Sequence, residues 1–142
     1  VGAKVMNFMN ALGQITVPKI TVIVRKAYGM AFHTMAGPGC RTDFIVAWPT
    51  AEVSFVAPEI AANIVFAGKM ANSPELQAQR DKYIAEMVRD SAPYSAVGAH
   101  FFHDVIDPRE TRTYIIRALD ICEDQRTGGV GEHRLANWPT KF

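Results

Sequence analysis

A glycine placed where a β-rich run gives way to a helical one can leave backbone N–H groups free to hold a negatively charged oxygen. Residues 25–37, RKAYGMAFHTMAG, have that form. A helix starting at Gly29 leaves its first amides without intrahelical acceptors, and the helix dipole adds positive potential there. An oxyanion hole needs such donors on a tight turn, flanked by small residues so that substrate can approach. Gly29 and Ala31 meet that requirement through their size, and Met30 through its backbone alone. The same letters also serve a plain strand-to-helix turn, for which glycine is ordinary.

Other residues offer weaker chemistry. His33 lies one turn into the same helix, but a general base needs an orienting partner, and none is evident. His100 and His103, in HFFH, have no third ligand at a usual spacing, so no metal site is expected. TGGVG (127–131) lacks the GK[ST] ending of a phosphate-binding loop. Glu52 and Glu59 flank a strand–helix junction. Glu59 falls at a second helical position, which the dipole favours without any catalytic role. Cys40 and Cys122 are the only cysteines and have no metal or redox spacing. They read as reduced thiols, Cys122 as a packing residue.

The elements that must hold the turn follow from periodicity. Apolar residues at Val5, Met6, Phe8, Met9 and Leu12 give 3–12 a helical face, with Gly13 as its stop. ITVIV (20–24) and DFIVAW (43–48) read as buried strands, and EVSFV (52–56) as a less buried one. Pro58 opens a helix whose expected inner face is Ile60, Ala61, Ile64 and Val65, ending at Gly68. Ser73 and Pro74 open a polar helix through about Asp90, with Leu76, Ile84, Met87 and Val88 as its stripe. FFHDVID (101–107) is extended. Asp107, Pro108 and Glu110 form a capping box before a last helix whose stripe is Ile115, Ala118, Leu119 and Cys122. The tail 127–142 is loop-like. Strands interleaved with helices, with no repeat and no linker, predict one α/β layered domain.

Bulk properties narrow the function. A chain of 142 residues, 49% of them apolar, can bury a core without disulfides. A net charge of +1 gives no electrostatic reason for binding nucleic acid or an anionic membrane. No apolar run approaches the ~20 residues needed to span a bilayer, and no signal peptide is visible. These features predict a cytoplasmic protein, with the mitochondrial matrix also compatible. The chain opens on Val1 directly in helical pattern, so the expectation is a piece of a longer polypeptide.

Four segments then occur in a telling order: VPKITVIVRKAYGMA, DFIVAWPTAEVSF, APEIAANIVF and DVIDPRETRTYIIRALDI. Together they resemble the C-terminal part of the carboxyltransferase (beta) subunit of biotin-dependent acyl-CoA carboxylases, the propionyl- and methylmalonyl-CoA type. The resemblance runs from about Gly2 to Ile121. It implies a crotonase-like (ClpP/crotonase) ββα superhelix, of which residues 1–142 are part of the C-terminal domain. It also implies transfer of a carboxyl group between carboxybiotin and the α-carbon of an acyl-CoA. The N–H groups of Met30 and Ala31 would form the biotin-side oxyanion hole, with Gly29 and Tyr28 shaping the turn and His33 near the acyl end. The implied partners are acyl-CoA, a biotin carrier protein or biotin carboxylase subunit, and further copies of the chain, with the site at a subunit interface.

Three departures mark the chain off from the pattern it resembles. Met30 replaces a second glycine, Ala57 and Ile60 replace two more, and GEHRLANWPTKF (131–142) replaces the usual ending. Two alternatives therefore accompany the carboxyltransferase reading: a crotonase-like decarboxylase or hydrolase of acyl-CoA without biotin, and a non-catalytic assembly module.

Overall fold

A computed structural model describes residues 2–67 and 73–123. The tail 127–142, with its TGGVG stretch, and the helix stop expected at Gly68 lie outside the described residues. Helix α1 (Gly2–Gln14) precedes two successive ββα turns. The first is β1 (Ile20–Ile23), β2 (Lys26–Tyr28) and α2 (Gly29–Thr34). The second is β3 (Phe44–Ala47), β4 (Glu52–Ser54) and α3 (Pro58–Val65). Next come α4 (Pro74–Asp90), α5 (Pro93–Gly98), β5 (Asp104–Val105), a 3₁₀ turn (Pro108–Glu110) and α6 (Thr111–Ile121).

The strands confirm the stacking of these units. β1, β3 and β5 form one parallel sheet in that order, with Ile23 opposite Ala47 and Ala47 opposite Val105. β2 and β4 form a second parallel pair, with Tyr28 opposite Ser54. Each ββα turn therefore lays both its strands beside those of the next, which is what a parallel superhelix requires. As expected, β3 is more buried than β4: Ile45, Val46 and Ala47 are enclosed, whereas all of β4 is half-buried. The core gathers Ile23, Phe32, Ile45, Ala47, Ala51 and Phe102, with Ala27, Val53, Ala96, Val97 and Val105 packed against it. Phe32 is the one buried residue of α2, so it is the anchor that fixes which way this short helix turns.

Several local expectations need correction. Gly13 does not stop α1, which continues to Gln14. Lys19 Nζ donates to the Leu12 and Ile15 carbonyls at 2.8 and 3.0 Å, doing for the end of this helix what a glycine cap would do. The inner face of α3 is Pro58, Ala61 and Ala62, so of the four residues expected only Ala61 is buried. Small side chains let α3 lie close to the body, and Ile60, Ile64 and Val65 are left about half exposed or more. On α4, Val88 is exposed, and Ser73 caps it without a side-chain hydrogen bond. Helix α5 was not anticipated. Asp107 does act as a cap, its Oδ1 accepting from the Arg109 N–H at 2.8 Å, but the turn that follows is 3₁₀ and α6 starts only at Thr111. In α6, Ala118 is buried and Leu119 exposed, and Cys122, its C-cap, is buried. Cys40 and Cys122 are free, buried thiols.

Candidate functional site

The strand-to-helix turn stands where the sequence places it. The β2–β4 ladder ends at Tyr28, which is the N-cap of α2 in extended backbone, and the next residue opens the helix. Gly29 has φ +56°, in the left-handed region that side chains disfavour. A Cβ there would also stand 2.9 Å from the Phe55 carbonyl oxygen. Glycine is thus required twice, by backbone sign and by close approach of the second ββα turn.

Met30 and Ala31 follow on the exposed side, because Phe32 takes the inward direction. Helix geometry gives the amides of this first turn no intrahelical acceptor. Among the described residues, neither the Met30 nor the Ala31 N–H has an acceptor outside the helix. The two donors are therefore outside the strand ladder, on residues that are themselves exposed. The far end of α2 is tightly fixed: the Gly37 N–H donates to the His33 carbonyl, and a Cβ on Gly37 would lie 2.0 Å from the Phe32 carbonyl oxygen. The Thr21 and Thr42 hydroxyls both donate to the Ala36 carbonyl, and the Cys40 thiol donates to that of His33. Cys40 is thus a structural thiol; burial pushes its pKa up, away from reactivity.

A cleft flanks α2 on each side. One, of about 300 Å³, is lined by Gly29, His33, Val53, Phe55 and Phe101. The other, of about 320 Å³, is lined by Arg25, Lys26, Ala31 and Met35. Met30 is half exposed and lines neither. His33 holds its ring against Phe32, and its Nδ1 lies 3.2 Å from the Pro38 carbonyl. No carboxylate bonds it among the described residues, so it has the place of a wall residue rather than an oriented base.

Tyr28 has a partner that sequence reasoning passed over. Its hydroxyl donates to Glu52 Oε2, across the β2–β4 pair. Burial first, then that hydrogen bond and the Glu52 charge, push the phenol up to about 12. In the sequence Glu52 stands out only as an acid/base mate for Glu59. The cross-strand pairing that gives it a different role depends on register, which periodicity alone does not fix. No group of three or more metal-ligating side chains occurs among the described residues.

Comparison with known proteins bears on the family and the fold. The chain superposes on a crystal structure of transcarboxylase 12S with hydrolysed methylmalonyl-CoA bound, at TM-score 0.78 and 36% identity. That match covers 97% of this chain and 26% of the other. The beta subunit of Pseudomonas aeruginosa geranyl-CoA carboxylase shares the fold, with TM-score 0.73 over 87% of this chain and 26% of the other. Among curated relatives, the propionyl-CoA carboxylase carboxyltransferase subunit of Haloferax mediterranei is 38% identical over 126 residues. This is 88% of the chain and 24% of the relative. The methylmalonyl-CoA decarboxylase subunit alpha of Propionigenium modestum is 35% identical over 126 residues, 88% of the chain and 24% of the relative. The chain thus spans about a quarter of the length of the curated relatives it matches. The crotonase-like α/β expectation stands. Residues 1–134 match the model of the carboxyl transferase domain, and the chain belongs to that family.

Proposed function

We propose that the intact protein carrying this chain is the carboxyltransferase component of a biotin-dependent acyl-CoA carboxylase, acting on the α-carbon of an acyl-CoA. Family membership supports the reaction class, and the turn at Gly29 supports the role of this part of the molecule. The observation that carries the reading is the pair of first-turn amides on the exposed residues Met30 and Ala31, with no acceptor outside the helix among the described residues. Biotin, borne by a carrier protein or subunit, supplies a carboxyl group in labile form. The contribution of this chain is to donate two N–H bonds to an oxygen as it gains negative charge. Losing one such donor costs about 3–4 kcal/mol of transition-state stabilisation.

Gly29 and Ala31 keep the approach open, while Tyr28 shapes the turn with its hydroxyl engaged away from substrate. His33 lines the cleft of about 300 Å³ and faces the acyl end. The exposed apolar residues Phe55, Ile60, Ile64 and Ile121 support burial against further copies, with the site completed at a subunit interface. No described helix is long and apolar enough to cross a membrane, and we place the protein in the cytoplasm or mitochondrial matrix.

The test is carboxyl transfer by the intact polypeptide from a malonyl-CoA-type donor to biotin or its carrier protein. Avidin-sensitive transfer is expected. Failure with every acyl-CoA tried overturns the proposal. The likeness to methylmalonyl-CoA decarboxylase alpha subunits favours a second reading, in which the chain serves acyl-CoA decarboxylation. Avidin separates the forms of that reading, because a biotin-free decarboxylase keeps its turnover.

A further inference from the structure

We infer that Glu52, acting through Tyr28, is a positioning residue for the Gly29 turn. This rests on the reading above, since the turn is worth positioning only if its amides receive an oxyanion. β2 and β4 are three residues each and, among the described residues, pair only with one another. A lone two-stranded sheet is marginal without further support. Its ladder ends where Tyr28 stands opposite Ser54, and beyond the ladder Glu52 N–H donates to the Arg25 carbonyl and Val53 N–H to the Ser91 carbonyl, both at 2.8 Å. The Tyr28–Glu52 hydrogen bond adds a side-chain tie at the last residue before the glycine.

Tyr28 is the N-cap of α2, so its backbone orientation sets the direction of the amides that follow. Its backbone is opposite Ser54, yet its side chain leans back along the sheet to Glu52, which is itself opposite Lys26. Lys26 Nζ lies 5.9 Å from the centre of the Tyr28 ring. The phenol is thus held by a charge-assisted bond at its tip and a cation beside its ring. The other charges acting on it are Glu59, which opposes its ionisation, and Arg25, which favours it.

The test uses the intact polypeptide with E52A, E52Q, Y28F and the E52A/Y28F pair. E52A is expected to lower kcat by roughly 10- to 100-fold, the range for a slight misplacement of catalytic groups, with KM for acyl-CoA within about twofold. E52Q, whose amide oxygen still accepts from the phenol, recovers most of the loss. In the Y28F background, E52A adds no further loss, because both changes remove one bond. Multiplicative losses, or E52Q as poor as E52A, overturn the inference. A wild-type enzyme without carboxyl transfer defeats the proposed reaction instead. The tie is then judged by ultraviolet difference titration against Y28F. E52A must bring the Tyr28 midpoint down towards the ordinary tyrosine value of about 10, and an unmoved midpoint refutes the tie.

Discussion

Helices α2 and α3 begin at equivalent points on successive ββα turns, and the fold treats their starts in opposite ways. β2 runs straight into α2 through Gly29, at φ +56°, leaving Met30 and Ala31 exposed. β4 is followed by Phe55, Val56 and Ala57 before Pro58 opens α3. Pro58 is fully enclosed and carries no N–H, so the start of α3 is plugged and has one donor fewer. One architecture thus yields an open helix start and a plugged one. The residue at the junction decides which: glycine where the backbone must swing left-handed beneath Phe55, proline where a buried helix start needs a fixed entry.

The sharpest way to break this contrast is Gly29→Ala. The left-handed backbone costs a side chain about 1–2 kcal/mol, and the added carbon meets the Phe55 carbonyl 2.9 Å away. The turn must shift, and carboxyl transfer by the intact protein should fall by about 10²–10³, as for a lost oxyanion donor. Steady-state kinetics with a melting curve separate the two effects. At the other junction, Pro58→Ala should reverse the pattern. Two buried ring carbons are lost, worth about 1–2 kcal/mol at ~0.8 kcal/mol each, while kcat stays within about twofold. A larger loss of activity than of stability there would erase the distinction between the two starts.

The 3₁₀ turn before α6 adds a third kind of start, capped by a carboxylate. Arg109, by side-chain and backbone hydrogen bonds, lowers the Asp107 carboxyl to about 2. The folded value lies below the ordinary one near 4, so this cap stabilises fully above about pH 4 and is lost as pH falls through about 2. The melting-temperature gap between wild type and Asp107→Ala should therefore be small at neutral pH and close across that window. A gap that persists at the acid end would mean the cap acts without its charge.

Much of this was legible because local chemistry fixed it. Short β-branched runs marked β1 and β3, prolines marked the starts of α3 and α4, and Asp107 announced its cap. The turn at Gly29 was legible as a possibility, since glycine between a strand and a helix has few uses. What escaped depends on neighbours distant in sequence. The outer face of α3 shows why: Ile60, Ile64 and Val65 share a helical stripe, but periodicity does not say which stripe meets the body. Ala61 and Ala62 win that place by being small. Helix α5 is only six residues and carries no long periodic signal. The Tyr28–Glu52 bond joins residues 24 apart, brought together by strand register.

The central claim concerns two peptide N–H groups, and it can be tested without altering any side chain. Replacing the Ala31 amide by an ester in the intact protein removes one donor and keeps the methyl group. The same replacement at Glu59, in the first turn of α3, is the control. The expected result is a fall in kcat of about 10²–10³ at Ala31, with KM little changed, and an effect within about twofold at Glu59. Equal effects at the two positions, or full activity with the Ala31 ester, would contradict the assignment of the Gly29 turn as the oxyanion hole.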